Sequence, residues 1–163
     1  MDIKMRNMTA IYLRSGEKLL LLYRQGSAVA DEMWIGAAGG HFEPCELNDP
    51  KACVLREMEE ELGLKEEMVS NLELRYVTLR KINGEIRQNF YFFADLEGGE
   101  KLELVSNEGI LKWFELSGLA QLNMPFSARF MMDHYLEVGR FDHEVYGGIS
   151  DGTKVIFTKM QEG

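Results

Sequence analysis

The chain has 163 residues, of which 45% are hydrophobic and 28% are charged, a composition that fits one soluble domain, residues 1–163, with its own core. Its net charge of −9 argues against a nucleic-acid groove, which needs a basic stripe, but not against a nucleotide that arrives with a cation. The sequence has no apolar run of the about 20 residues that a membrane span needs. No signal peptide is evident, so we expect a cytoplasmic protein.

In chain order, the first predicted elements are two strands, residues 8–13 and 18–23, joined by a turn at Ser15 and Gly16. Residues 25–33 are predicted to form a loop. Three glycines follow at positions 36, 39 and 40, where the backbone is expected to pass close to another group.

A helix is predicted over residues 49–62. Asn48 or Asp49 can cap its start, Pro50 is tolerated in its first turn, and Gly63 is suited to end it. One face of this helix is an apolar stripe, which packs on the rest of the protein and consists of Leu55, Met58 and Leu62.

The strongest hairpin signal is Asn83-Gly84, between predicted strands at residues 72–81 and 86–96. The remaining predicted elements are a strand at 110–116, a helix at 128–138, and a last strand pair at 145–146 and 154–158. This succession of hairpins and helices predicts a mixed sheet covered by helices.

The helix at 49–62 carries an acidic cluster, in which Glu57, Glu60 and Glu61 share one face through their i, i+3, i+4 spacing. Like charges at this spacing repel by about 0.2–0.5 kcal/mol per pair, and the C-terminal end of a helix also disfavours negative charge. A bound divalent cation would offset both penalties. The alternative is a solvated face, because runs of glutamate are common on protein surfaces.

The order of residues around this cluster resembles the signature of the Nudix hydrolase family: Gly, five residues, Glu, seven residues, then Arg-Glu-aliphatic-x-Glu-Glu-x-Gly-aliphatic. There are two departures. Nine residues, 47–55, stand where the signature has seven, and Ala37-Ala38 precedes the glycine pair where many relatives have proline. We expect the two extra residues to lie in the loop before the helix, and the role of Glu46 stays open. The matching residues are Gly40, Glu46, Arg56, Glu57, Met58, Glu60, Glu61, Gly63 and Leu64.

The resemblance implies an α/β/α sandwich with a mixed β-sheet, and it implies cleavage of a nucleoside diphosphate linked to another group. Carried onto this chain, Glu57, Glu60 and Glu61 hold Mg²⁺ or Mn²⁺, and Arg56 orients Glu57. The carbonyl of Gly40 is a further candidate ligand, with a simple turn glycine as the alternative.

Similarity to MutT-type relatives adds three candidates. Glu108 is a candidate metal ligand or base, Arg24 a candidate phosphate contact, and Phe126 a candidate substrate contact; an exposed loop acid and a surface arginine are the alternatives for Glu108 and Arg24. Trp34 and Trp113 are weighed as base-stacking residues, although packing is the safer interpretation for Trp113.

A zinc site is a competing interpretation of the same region. His41, Cys45 and Cys53 are the residues that such a site would use. Their spacing fits no common zinc pattern, and no fourth ligand stands nearby in the sequence.

The substrate is less well determined. Accessory motifs of the NADH, ADP-ribose, dinucleoside polyphosphate and coenzyme A types are absent, which leaves the MutT-like group acting on nucleoside triphosphates. Residues 124–126 and the helix after them resemble enzymes that act on oxidised purine nucleotides. The expected protein is therefore a monomeric or homodimeric pyrophosphohydrolase. Its rivals are a nucleotide sensor without turnover, a nucleotide-sugar hydrolase, and isopentenyl diphosphate isomerase, whose catalytic cysteine motif is not found.

Overall fold

The computed structural model describes residues 2–24 and 32–163. In this part of the chain, nine strands form one mixed sheet in the order β3-β2-β1-β6-β5-β8-β9, with β4 also paired to β1 and β7 to β2. The strands are β1 (Lys4–Ser15), β2 (Lys18–Arg24), β3 (Met33–Gly36), β4 (Ala38–His41), β5 (Ser70–Ile82), β6 (Glu85–Asp95), β7 (Gly109–Glu115), β8 (Tyr146–Ser150) and β9 (Val155–Lys159). The two α-helices are α1 (Pro50–Leu62) and α2 (Phe126–Glu137).

The two helices cover opposite faces of the sheet. Successive residues of β1 point to opposite faces: Tyr12 belongs to the core beneath α2, whereas Ile11 and Leu13 belong to the core beneath α1. Met131 of α2 and Met58 of α1 are both fully buried in their respective cores. The α/β/α sandwich with a mixed sheet is thus confirmed.

Helix α1 begins and ends where its sequence predicts. The side chain of Asp49 accepts a hydrogen bond from the backbone N–H of Ala52 (3.1 Å), and Gly63 adopts the left-handed conformation (φ 69°) that stops the helix. The two extra residues fall in the turn before Asp49, after a short 3₁₀ segment, Pro44–Glu46. The helix itself is uninterrupted, so the insertion leaves the register of its acidic residues intact.

The hairpin at Asn83-Gly84 is confirmed, with both residues at positive φ (51° and 75°) between β5 and β6. The last strand pair is longer than predicted, because Gly147 and Gly148 lie inside β8 rather than in its turn. The predicted loop at 25–33 was wrong at its end, where Met33 begins β3; residues 25–31 of that loop lie outside the described residues.

Strands β3 and β4 were not predicted. Two of the four residues of β4 are glycines, and the segment gains its strand conformation from pairing with β1. Neither α1 nor α2, the α-helices of the described residues, has the length and hydrophobicity needed to cross a membrane.

Candidate active site

A cleft of about 730 Å³ opens beside β1 and β4 and is bounded by α1 on one side and by the start of α2 on another. Carboxylates of α1 and of the loop before β7 line one part of the cleft, and arginines of β1, β5 and β6 line another. This volume lies within the usual range for sites that bind small molecules.

Glu57 and Glu61 lie one helical turn apart on the side of α1 that faces this cleft. The backbone N–H of Gly39 donates to Oε2 of Glu61 at 3.1 Å, which fixes that carboxylate against β4. The absence of a side chain at Gly40 leaves room for the carboxylate of Glu57, since a Cβ at this position would lie 2.6 Å from Oε1 of Glu57. Burial raises the pKa of Glu61 above its usual range, and the nearby charges of Glu57 and Glu108 add to this effect.

Arg56 holds Glu57 in place from the other side. Its Nη1 donates to Oε1 of Glu57 at 2.9 Å, while its Nε and Nη2 donate to the two oxygens of Glu46 at 2.8 and 3.0 Å. Glu46 is 4% exposed and also accepts from the backbone N–H of Glu43 at 2.9 Å. The Arg56 guanidinium lowers the pKa of Glu46 to about 2. Glu46, whose role the sequence left open, is therefore the buried acceptor that anchors Arg56.

Glu60 occupies a different position from its two neighbours. Its side chain is 59% exposed, accepts from Nη1 of Arg56 at 3.2 Å, and is not among the residues that line the cleft. Of the three predicted acids, the structure brings together Glu57 and Glu61 and leaves Glu60 at the outer side of α1. Glu59 is exposed and also lies outside the cleft.

Glu108 and Arg24 meet at the edge of the same cleft. Strand pairing sets Arg24 of β2 opposite Gly109 of β7, and Nη2 of Arg24 lies 3.9 Å from Oε2 of Glu108. The loop before β7 is fixed by the backbone N–H of Glu108, which donates to Oγ of Ser106 at 3.1 Å. Both residues are only partly exposed and both line the cleft with Glu57 and Glu61.

The residues present suit a hard cation such as Mg²⁺. Within residues 2–24 and 32–163, no three His, Cys, Asp or Glu side chains are already gathered closely enough to hold a metal ion. Nevertheless Glu57, Glu61 and Glu108 line one cleft and offer only carboxylate oxygens, the ligands that Mg²⁺ prefers. The mutual repulsion around Glu61 is of the kind that a cation would offset.

The zinc interpretation finds no support in the described part of the chain. Cys45 is exposed, whereas Cys53 is buried with its Sγ 3.3 Å from Oγ1 of Thr9. Nε2 of His41 already accepts a hydrogen bond from Nε of Arg6 at 2.8 Å.

The aromatic candidates have different environments. Phe126 begins α2 and lines the cleft, where the guanidinium of Arg80 lies over its ring at 4.1 Å from the centroid. Trp34 packs between the rings of Tyr23 and Phe114, and Trp113 packs against the core beneath α1. Only Phe126 of the three candidates lines the cleft.

Sequence reasoning missed Arg6, Arg80, Arg87 and Asn89, which also line the cleft. A partial signal was present: the Asn83-Gly84 turn sets Arg80 directly opposite Arg87. The pairing of β1 with β6, which adds Arg6 to them, has no local signal in the sequence.

Residues 4–135 match the model of the NUDIX domain family. The fold is similar to the crystal structure of the mutator MutT protein from Bacillus halodurans, with 20% identity, a TM-score of 0.66, and coverage of 97% of this chain and 99% of that one. It is also similar to the MutT protein from Methanosarcina mazei Go1 (17% identity, TM-score 0.69, coverage 87% and 99%). A C. elegans Ap4A hydrolase is a further similar structure (16% identity, TM-score 0.66, coverage 84% and 99%).

The chain belongs to the NUDIX domain family. It is a hydrolase that acts on diphosphate bonds, as the match to the family over the acidic helix indicates. Hydrolases of this family generally use divalent metal ions and act on nucleotide small molecules.

Proposed function

We propose that the protein is a MutT-like pyrophosphohydrolase that requires Mg²⁺ or Mn²⁺ and acts on a nucleoside triphosphate or another nucleoside diphosphate derivative. The observation that carries this proposal is the pair Glu57 and Glu61, which face one cleft with Glu108 and are held by Gly39 and Arg56. Oxidised purine nucleotides are the first substrates to test. The cytoplasmic location expected from the sequence is part of the same proposal.

The proposed metal ligands are Glu57, Glu60, Glu61, Glu108 and the carbonyl of Gly40. A divalent cation held by them supplies charge neutralisation at the phosphate oxygens and an activated water. Glu60 is kept in the set because it lies next to Glu61 and its present contact with Arg56 is exposed.

The chain's own residues have separate roles in this proposal. Arg56 positions Glu57, and the buried Glu46 prevents Arg56 from turning away. Arg24 lies beside Glu108 at the edge of the cleft, where Arg24 contacts phosphate and Glu108 serves as a ligand or a base. Phe126 presents an aromatic ring to the nucleoside at the other wall of the cleft.

A substrate screen tests the proposal. Purified protein is incubated with nucleoside triphosphates, oxidised purine triphosphates, dinucleoside polyphosphates and nucleotide-sugars, in Mg²⁺, in Mn²⁺ and in excess chelator, and released phosphate and pyrophosphate are measured. We expect turnover that chelator abolishes and added metal restores.

The rivals make different predictions in the same screen. A sensor binds a nucleotide in the presence of metal but does not cleave it, and a nucleotide-sugar hydrolase cleaves only that class. Full activity in excess chelator would refute the metal-dependent mechanism.

A further inference from the structure

Three arginines lie side by side on three neighbouring strands. Arg6 of β1 is the register partner of Arg87 of β6, and Arg87 is the register partner of Arg80 of β5. We call these three residues the arginine row; directly opposed residues project from the same face of a sheet, and all three line the cleft. With neighbouring strands about 4.8 Å apart, the row extends about 10 Å across the sheet.

Like charges placed directly opposite each other destabilise a sheet, so this row needs negative charge nearby to offset the repulsion. Glu85 supplies part of it, with Oε1 2.8 Å from Nε of Arg87 and 3.5 Å from Nη1 of Arg6. Within the described part of the chain, Arg80 has no carboxylate within 4.0 Å, and its guanidinium lies over the ring of Phe126. Among the described residues, Glu85 thus contacts two of the three guanidinium groups of the row, which leaves a local positive excess in a protein of net charge −9.

The three guanidinium groups are held rather than free. Arg6 is fixed through His41 and Glu85, Arg87 through Glu85, and Arg80 through the face of Phe126. Arg6 and Arg87 have side chains only about a quarter exposed. Burial and the neighbouring charge of Arg87 lower the pKa of Arg80. Fixed, partly desolvated guanidinium groups are the preferred partners of phosphate oxygens.

The row belongs to the cleft that also holds the acidic pair. His41 connects the two parts, because its ring accepts a hydrogen bond from Arg6 and it lines the cleft next to Gly40. A cation at Glu57 and Glu61 accounts for the charge of a diphosphate at that end. A cation at that end does not explain why three arginines of β1, β5 and β6 also line the cleft.

We propose that the arginine row binds a phosphoryl group of the substrate that is not part of the cleaved diphosphate. The substrate class is then a nucleotide derivative with an additional phosphate, on the 2′- or 3′-oxygen of its ribose or on the group linked through the diphosphate. This inference rests on the proposed function for its substrate, but the binding of a phosphate by the row does not require turnover.

Matched substrate pairs test the proposal. Each pair differs by one phosphate: ADP-ribose and its 2′-phosphate, dephospho-coenzyme A and coenzyme A, and ADP-ribose and its 1″-phosphate. We expect kcat/KM of the wild type to be about tenfold or more higher for the phosphorylated member of at least one pair, which is the value of one charge-assisted hydrogen-bonded contact. Arg80→Ala should abolish that preference through KM.

Lys81→Ala is the matched control, because Lys81 is the next residue of β5, is exposed and does not line the cleft. This variant should keep the preference of the wild type, and Arg80→Lys should keep part of it, since the charge remains while the planar fork is lost. Absence of a preference in all three pairs, or an undiminished preference in Arg80→Ala, would overturn the proposal.

A binding measurement without metal separates this proposal from the proposed function. In excess chelator, inorganic phosphate should raise the melting temperature of the wild type and of Glu61→Gln more than chloride does at equal ionic strength. The increase should disappear in the Arg80→Ala/Arg87→Ala double variant and persist in Lys81→Ala. If no substrate is cleaved but this pattern is found, the row binds phosphate and the proposed hydrolysis fails. Stabilisation by phosphate that survives the double substitution overturns the row as its site.

Discussion

Glu57 and Glu61 differ from the other acids of α1 in facing the cleft, and this difference predicts a graded effect of substitution. Glu57→Gln and Glu61→Gln should lower kcat by at least about 100-fold, because each removes a charged oxygen ligand from the proposed metal set. Glu60→Gln should also lower it. Glu59→Gln, on the exposed side of the helix, should stay within about twofold of the wild type.

The measurement is steady-state hydrolysis at saturating Mg²⁺, with circular dichroism to show that all four variants are folded. Removal of a like charge from a helix face does not destabilise the helix, so folding should be retained. A loss in Glu59→Gln equal to that in Glu61→Gln would show that the helical phase of the site is wrong.

Substitution by alanine should have different effects at the adjacent residues Gly39 and Gly40. At Gly40 a Cβ meets the end of the Glu57 side chain, which can move, so Gly40→Ala should lower activity while the protein remains folded. At Gly39 a Cβ meets the backbone of Thr9 and φ is +155°, so Gly39→Ala should lower the free energy of unfolding itself. Gly118→Ala, where a Cβ has open space, is the control. Equal melting temperatures for the Gly39 and Gly40 variants would contradict this distinction.

The contact between Glu46 and Arg56 predicts a dependence of stability on acid pH. The folded protein holds the pKa of Glu46 at about 2, below its ordinary value of 4.5. A lowered carboxyl pKa stabilises the fold above pH 4.5, and this stabilisation is lost as the pH falls from 4.5 towards 2. Urea unfolding between pH 2 and 6 should therefore show a steeper acid loss for the wild type than for Glu46→Gln.

At pH 7 the same substitution should cost about 2–3 kcal/mol, because Arg56 loses a charged acceptor in a buried position. Identical pH profiles for the two proteins would show that Glu46 does not carry this stability.

At the scale of elements, the start of α1 depends on one side chain. Asp49→Ala should lower the free energy of unfolding by about 1 kcal/mol, because the N–H of Ala52 then loses its acceptor. Asn48→Ala is the matched control: Asn48 is exposed and adjacent, and it does not cap the helix. Chemical denaturation measures both, and an equal cost for the two variants would argue against the cap.

Elements with a local signal were predictable from the sequence. The hairpin at Asn83-Gly84 requires residues that tolerate positive φ, and α1 carries both its cap and its terminating glycine. Strand β4 has no such signal, because its glycines contribute no alternation of polar and apolar side chains and only β1 makes it a strand. The acidic half of the site is encoded within one helix turn, whereas the arginine row depends on strand pairing between distant segments.

At the scale of the whole molecule, metal should act as a stabilising ligand. Mg²⁺ should raise the melting temperature of the wild type, because an ion that binds only the folded state shifts the equilibrium towards it. The increase should be lost in Glu61→Gln and retained in Glu59→Gln. Differential scanning fluorimetry over a Mg²⁺ titration measures it, and an equal increase in both variants would indicate binding elsewhere on the acidic surface.

The pairing of β1 with β6 also has a consequence for the order in which the protein assembles during synthesis. β1 pairs in parallel along most of its length with a strand whose register partners lie 81 positions later in the chain. A ribosome releases the chain from its N-terminus, so β1, β2 and β4 emerge with one long edge of β1 still without its neighbour. Contacts of such large sequence separation form slowly. Until residue 95 has emerged, the nascent chain exposes an apolar strand edge and is then most open to chaperones and to wrong pairing.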